Sequence, residues 1–550
     1  MAEVLIVSAP LNQNSLGTFA EENLGILYIE ASLKHAGYSC SIIDGVAFGL
    51  SCEHILNDII ADPPTLFLGF SVFYNNITHT IQMIKDVRKM GFKGHISIGG
   101  MWPSFKYKQI LNQVKEVDSV AVGEGEILSV CLADCISSSK DLRDISGLAT
   151  RGIDDSIHFI PEKLREDNDT LPVPDRCGYY FDTIKAVQRV SFLSSRGCHG
   201  GCTFCSVASY VKFCGGKKWR PRDPVKVVDE LEHIVKTTGI NRFRFWDDNF
   251  IGPGKIERER SLSFANEVLR RKLKIEFSIF PRLDGIEYEL VSRLKDAGLK
   301  YVDAAIESLV DTQLKRYNKQ ISVDGNLAAL DVLNKLNIPY KCYMIFFDPY
   351  VTREEIKQNL LMMDKIGIEH FAGLPTANFL ALNQYQPIFN MCLKDGLVKN
   401  FNPEDIDNLY LEYTQMHSDV VCLVEMGIVA FRIHTKCFNK LFEMKKRIPT
   451  ILCDKIFMDV YNALKVSFHK YFREFFDSGQ TTGGAGFMHS KMGHIYDSIC
   501  TFADAVTRQD ILEFKEHTID IDGIEVSTLL AYTDYLSQFN ISCPNVNGIF

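Results

Sequence analysis

The chain has 550 residues, 46% hydrophobic and 23% charged, the balance of an ordinary globular protein with length for about three domains. A net charge of -9 argues against a broad nucleic-acid footprint, although Lys217-Lys218-Trp219-Arg220 forms a local basic patch. Its 16 cysteines are too sparse for a disulfide scaffold, the start at Met1 lacks a basic region followed by a cleavable apolar one, and the apolar stretch 420–431 contains Glu425 and is too short to span a bilayer, so a reduced, cytoplasmic protein without a membrane span is expected.

Residues 1–135 alternate short apolar runs with amphipathic segments. Strands are expected at 4–9, 40–43, 65–70, 95–98 and 117–122, and helices at 24–35, 77–89 and 104–114. This alternation predicts a doubly wound parallel sheet, which binds ligands beyond the carboxyl ends of its strands. The strand-end candidates are Ser71-Val72-Phe73-Tyr74, Gly99-Gly100-Met101-Trp102 and Gly123-Glu124-Gly125-Glu126, whose glycines let a bulky ligand approach the backbone. No Gly-x-Gly-x-x-Gly follows the first strand, so a dinucleotide site is poorly supported. Residues 136–186 are expected to link domains, with a hairpin or irregular excursion over 141–161 and an extended Leu171-Pro-Val-Pro-Asp-Arg176.

From 187 to 374 the alternation resumes. Strands at 190–194, 242–246, 274–281, 301–306 and 340–347, interleaved with helices, predict a barrel-like set of units with functional groups at the strands' carboxyl ends. The first strand leads into Ser195-Arg-Gly-Cys-His-Gly-Gly-Cys-Thr-Phe-Cys-Ser206. Its thiols, Cys198, Cys202 and Cys205, have the spacing that binds three corners of an iron–sulfur cube and leaves one iron open to another ligand. Cys-x-x-Cys also suits zinc, but no second Cys or Cys/His pair stands nearby to complete a tetrahedron. The remaining cysteines read as core or idle thiols, with Cys177 and Cys214 close in sequence to the rim. Thr352 and Glu355 fit a helix capping box.

Beyond 375 the chain is mostly helix-like, with stretches at 404–416, 420–439, 455–476 and 503–516. The Gly-rich segment 481–486 lacks the lysine of a phosphate loop and reads as a flexible connector; Asp520 to Glu525 reads as a hairpin turn.

The cysteine loop, with Phe204 before its third thiol, resembles the radical S-adenosylmethionine (SAM) superfamily, in which the open iron of a 4Fe-4S cluster chelates SAM. The upstream phrases Leu24-Gly-Ile-Leu-Tyr-Ile-Glu-Ala31, Gly69-Phe-Ser71, Ile98-Gly-Gly-Met-Trp-Pro-Ser104 and Val120-Ala-Val-Gly-Glu-Gly-Glu126 resemble the cobalamin-binding domain that precedes one class of these enzymes. The resemblance implies an α/β chain: a Rossmann-like sheet over 1–135, an open six-unit barrel over 187–374, and a mainly helical domain over 375–550 that shapes the substrate site. A flavodoxin-like scaffold that has lost its ligand is the alternative for the first.

By the same resemblance Leu24, Gly25, Ser71, Val72, Phe73, Gly99, Gly100, Trp102, Gly123, Glu124, Gly125 and Glu126 would hold cobalamin. The loop Ala9 to Gly17 lacks the histidine of Asp-x-His-x-x-Gly, implying cobalt without a histidine lower ligand. Phe204 would lie by the adenine. Asp247 or Asp248 would bind the SAM ammonium, with helix capping before Pro253 as the competing role. Arg282 would grip the SAM carboxylate, and Glu307 and Ser308 would contact its ribose, with buried salt bridges as the alternative for the charged groups. Trp219-Arg-Pro-Arg222 would dock the cobalamin or cluster loop.

The implied reaction is C-methylation of an unactivated carbon, through a 5′-deoxyadenosyl radical and methylcobalamin, with a reductant such as flavodoxin or ferredoxin. A radical cyclisation, ring contraction or rearrangement uses the same residues and is the alternative. A non-catalytic cobalamin sensor accords less well with the complete cysteine triplet. A small-molecule or peptide substrate is expected.

Overall fold

The computed structural model describes residues 2–11, 21–73, 75–252, 254–407, 410–445, 450–508, 518–522 and 524–527. Most of the loop expected beneath cobalt, Tyr74, and 509–516 of the last expected helix lie outside these residues.

The N-terminal runs form β1 (Val4–Ser8), β2 (Cys40–Asp44), β3 (Phe67–Ser71), β4 (His95–Gly99) and β5 (Ser119–Ala121), parallel in the order β2-β1-β3-β4-β5. β1 is buried along its whole length, as a strand covered on both faces must be. One face packs against helices at 52–61, 77–89 and 101–113 through a core that includes Ile55, Ile84 and Ile110. Leu24–His35, capped by Asn23, and Gly125–Ser137 pack against each other. The excursion over 141–161 belongs to this sheet. β6 (Leu148–Arg151) and β7 (Ile157–Phe159) extend it antiparallel from β5, because a hairpin on the edge satisfies backbone groups that β5 would otherwise expose.

The second sheet carries β8 (Val190–Phe192), followed in the chain by a two-stranded ribbon of β9 (Ser195–Gly197) and β10 (Trp219–Pro221). β11 (Arg242–Phe245), β12 (Glu276–Ile279) and β13 (Leu299–Glu307) continue it in parallel order. Its helix-covered face is apolar: Phe245 and Phe277 pack edge-on against Phe264 of the helix Lys255–Arg270. The helix Pro224–Thr238 starts at Asp223, which accepts from Val225 and Lys226, and ends at Gly239 with φ 74.

The chain divides into two compact units that do not follow chain order. The first holds Met1–Ala305, Leu314–Tyr340 and Ala381–Tyr413; the second holds 306–313, 341–380 and 414–550. In the first unit, 381–413 packs on the helix Met101–Gln113. Trp102 Nε1 donates to the Ile406 carbonyl at 2.9 Å, buried Lys106 donates to Pro403 O at 2.6 Å, and Phe105 stacks on Tyr385 at 3.9 Å. The helix expected over 404–416 is absent among its described residues, which form turns and a bridge from Val398 to Tyr413.

In the second unit the expected capping box of Thr352 and Glu355 is present. β14 (Tyr340–Met344) is followed by Ile345, whose N–H donates to Glu307 O at 2.8 Å. Helices Val421–Lys445, Thr450–Asp477 and Gly484–Arg508 make up most of the rest. The Gly-rich segment does not act as a plain connector. Gly484 opens the last helix, and a Cβ there would lie 2.4 Å from the Cys422 carbonyl, so glycine permits a close helix contact. The hairpin expected near Asp520 is β15 (Thr518–Ile521) with β16 (Ile524–Ser527). No helix among the described residues is long and apolar enough to cross a membrane, and the described cysteines are free thiols.

Candidate active site

The β9–β10 ribbon presents the cysteine loop. Gly197, paired with Trp219, has φ +76, and a Cβ there would lie 2.2 Å from Lys218 O, so only glycine fits. Cys198 follows at once, Cys205 N–H donates to Cys202 O at 3.2 Å, and the helix Val207–Cys214 begins two residues on. A Cβ on Gly200 would lie 3.5 Å from Cys198 Sγ and 3.6 Å from Cys202 Sγ, which places both thiols around one small residue. Gly200 N–H donates to Cys198 Sγ at 3.4 Å and Arg282 Nη1 to Cys202 Sγ at 3.5 Å. Burial pushes the Cys198 thiol up and the Cys205 thiol up to about 12, so their thiolates need a bound cation. Three thiols at this spacing suit three corners of an iron–sulfur cube.

A strap that sequence reasoning missed holds this loop from the other side. Thr203 N–H donates to Tyr317 O and its hydroxyl to Arg316 O, both at 2.9 Å, while Asn318 Nδ2 donates to Gly201 O at 2.9 Å. Asn318 and Gln320 have positive φ of 49 and 60. Phe204 packs edge-on against Tyr317, and the ammonium of buried Lys319 sits 6.0 Å from the Phe204 ring centre. Residues 383 and 388 also reach the loop, through Asn383 to Ser206 and Ile388 N–H to Thr203 O.

The carboxylates after β11 separate in role. Asp247 is buried and accepts from Ser194 N–H, Ser194 Oγ and Ser195 Oγ at 2.7, 2.5 and 2.8 Å, so it ties the segment after β8 to the end of β11. Asp248 accepts from Gly197 N–H at 3.0 Å, and its side chain reaches solvent. Desolvation by the surrounding protein, with Asp247 beside it, pushes its carboxyl above the ordinary range. Arg282 has Nε and Nη2 both facing Asp284, with Nη2 to Asp284 at 2.9 Å and to Lys319 O at 2.5 Å, so this two-pronged face is engaged within the protein. Its remaining donor faces the cysteine sulfur. In the second unit, Glu307 ends β13 with φ 60, and Ser308 is fully buried with its hydroxyl donating to Gln313 Oε1 at 2.6 Å, which makes it a core hydrogen-bonding group.

A cleft of about 170 Å³ runs along the face of the first sheet to the carboxyl ends of its strands, lined by Gly25, Gly69, Ser71, Gly99, Gly123 and Glu124 among others. Side chains would fill it: a Cβ on Gly69 would lie 2.7 Å from Ile6 Cδ1 and one on Gly100 2.4 Å from Val72 O. Gly100 (φ +124), Gly125 and Glu126 also line it, so the expected glycine turns converge on a cradle suited to an extended ligand, and this supports the fit of cobalamin here. Phe73 is exposed at the rim. Leu24, Val72 and Trp102 are buried, and Trp102 serves as an anchor for Ile406.

The acidic members of that cradle face the cluster ribbon. Glu124 pairs with Arg196 at 3.0 Å and Arg220 at 2.8 Å, and Glu126 pairs with Arg196 at 2.6 Å. Arg196 stands two residues before Cys198. Burial would raise the Glu126 pKa, but the Arg196 guanidinium outweighs it and holds the carboxyl below its ordinary range. Arg222 pairs with Glu230 at 2.7 Å and Asp169 at 3.2 Å, and Arg176 with Glu22 at 2.7 Å. Through Arg220 and Glu124, the β10 strand of the ribbon is paired directly with the cradle.

A ribbon of three sulfurs beside a glycine-lined cleft defines an enzyme class built around two large cofactors. Residues 192–363 match the radical SAM superfamily and residues 18–132 the B12 binding domain. The chain belongs to the cobalamin-dependent radical SAM enzymes, which use a 4Fe-4S cluster, SAM and cobalamin. An uncharacterized methyltransferase of Pyrococcus horikoshii is 25% identical over 350 residues, 63% of this chain and 74% of that protein. The anaerobic magnesium-protoporphyrin IX monomethyl ester cyclase of Rubrivivax gelatinosus is 25% identical over 61% of each chain, so this chain spans less than two thirds of it. In fold it resembles the cobalamin-dependent radical enzyme OxsB, with a TM-score of 0.74 at 16% identity over 99% of this chain and 85% of that one. It also resembles the methyltransferase TsrM of Kitasatospora setae, with a TM-score of 0.61 at 13% identity over 90% and 98%.

Proposed function

We propose that the chain transfers a methyl group from SAM to an unactivated carbon of a small-molecule or peptide substrate. The observation that carries this reading is the direct ion pairing of the glycine-lined cradle with the cluster ribbon through Glu124 and Glu126, which holds two cofactor sites in one compact unit. The methyltransferase among the relatives supports the choice of chemistry. When bound, the cluster supplies the electron that cleaves SAM, and cobalamin supplies the methyl carrier.

The chain's own residues do the rest. Cys198, Cys202 and Cys205 hold the cube, and Arg282 with the Gly200 N–H offsets the charge on its sulfurs. Asp248 accepts the SAM ammonium, the role that Asp247 cannot fill. Lys319 balances the SAM carboxylate, since Arg282 is committed to Asp284. The chain's glycine turns cradle cobalamin.

Ring closure without net methylation is the second reading, favoured by the cyclase that matches at the same identity as the methyltransferase. Anaerobic turnover separates them. Methyl transfer yields S-adenosylhomocysteine and 5′-deoxyadenosine together, whereas 5′-deoxyadenosine without stoichiometric S-adenosylhomocysteine would decide for the cyclase reading.

A further inference from the structure

The face of the second sheet turned away from its helices is unlike a packed barrel interior. Along β11 and β12 buried residues alternate with ones that are not. Phe243, Phe245, Phe277 and Ile279 are buried against the helix layer, while Arg244 and Ser278 remain only partly covered. Barrel interiors that serve as cores are filled by branched apolar side chains. Here the inner face carries Arg244, Ser278, Tyr301 and Asp303 instead.

The alternation continues past β11. Trp246 and Asp248 follow Arg244 on the same face, so the three form a ladder from the sheet towards the cluster loop, with Asp248 at Gly197. The Arg244 guanidinium lies 4.1 Å from the Trp246 ring centre. Arg244 is held in turn by Asp303 at 3.3 Å and Glu21 at 3.6 Å, and Glu21 also pairs with Arg189. One side of the indole is thus stacked and fixed, yet the residue stays 44% exposed, whereas the chain's other two tryptophans, Trp102 and Trp219, are 4% and 8% exposed. An aromatic ring fixed on one side and open on the other is a stacking platform that loses little freedom when a ligand covers it.

We propose that Trp246, backed by Arg244, is the platform on which the substrate lies, and that the substrate presents a flat, π-conjugated ring to it. This rests on the reading of the chain as an enzyme acting at the Asp248 end of the same face. Stacking places the ring plane against the indole and leaves a saturated carbon borne on the ring's edge directed towards the cluster loop, so that the hydrogen abstracted comes from an sp3 carbon and not from the stronger C–H of the ring itself.

The test uses the anaerobically loaded protein and a matched pair of probes, benzoate and cyclohexanecarboxylate, equal in charge and similar in size but different in flatness. Dissociation constants come from equilibrium dialysis, with iron and cobalt content checked for each variant. The platform predicts that benzoate binds about tenfold more tightly, a stacking contribution near 1–1.5 kcal/mol, that Trp246→Leu brings the two probes within about twofold, and that Trp246→Phe keeps most of the difference. Equal binding of the two probes, or a benzoate preference that survives Trp246→Leu, overturns it. A parallel anaerobic turnover of the same protein preparations with SAM, reductant and a small-molecule extract, scored for S-adenosylhomocysteine, reports separately on the methyl-transfer reading.

Discussion

At the scale of single residues, neighbouring carboxylates separate structure from chemistry. Asp247 spends its oxygens on Ser194 and Ser195, whereas Asp248 accepts from Gly197 and its side chain reaches solvent. Asp247→Asn leaves a buried hydroxyl or N–H poorly matched and is expected to lower stability by about 1–3 kcal/mol, read as a fall in Tm. Asp248→Asn is expected to leave Tm within a few degrees and to weaken SAM binding by roughly ten- to a hundredfold, the worth of a charge-assisted hydrogen bond. The reverse pattern would exchange their roles. The cysteine triplet was legible because its ligands are adjacent in sequence, a spacing that carries chemistry by itself. The engagement of Arg282 was not, because it depends on a turn that swings Asp284 back under the guanidinium. Lys319 lies more than a hundred residues from Phe204 and carries no local signal of their proximity.

At the scale of elements, two glycines isolate the two cofactor sites. Gly197 lets the β9–β10 ribbon close on Lys218 O, and Gly100 lets the turn after β4 close on Val72 O. Gly197→Ala is expected to reduce iron content strongly while cobalamin binding persists, and Gly100→Ala to do the opposite; each combines a clash with left-handed backbone strain of about 1–3 kcal/mol. Metal analysis and cobalamin absorbance on the two variants check this, and equal loss of both cofactors in either variant would contradict it. The parallel strands were legible because buried runs of four or five residues alternate with helical periodicity. A hairpin within 141–161 was one of two open readings, but its pairing with β5 was not legible, since edge strands carry polar and turn residues and lack the continuous apolar signal of β1. The segment 404–416 has helical spacing of its apolar residues, but Trp102 and Gln113 draw its Ile406 and Glu404 carbonyls into hydrogen bonds that compete with a helix.

At the scale of the molecule, the buried acids and arginines between the cradle and the ribbon set both architecture and pH response. The Glu126 carboxyl is held below its ordinary value, so its contribution is complete above the unfolded pKa and is lost as pH falls through the folded one. The wild type is therefore expected to lose Tm as pH falls below the ordinary glutamate range. Glu126→Gln, already weaker at neutral pH by about 3 kcal/mol because Arg196 is left without a full partner, should show a shallower decline. Parallel Tm curves for the two proteins would show that the pair carries no such linkage. These pairings join residues 70 to 96 positions apart and hold segments from either side of an expected domain boundary, which no periodicity reveals. The return of 381–413 to the first unit was hidden for the same reason.

The reading of this chain as a methyltransferase is tested most directly by following the methyl group. Loaded wild-type protein and the Cys198, Cys202 and Cys205 triple alanine variant are incubated anaerobically with reductant, methyl-deuterated SAM and a small-molecule extract of the native host, and products are compared by mass spectrometry. A product carrying the intact trideuteriomethyl group on carbon, formed by the wild type and absent with the triple variant, is the predicted result. Substrate consumption by the wild type with 5′-deoxyadenosine released and no deuterium in any product would contradict it.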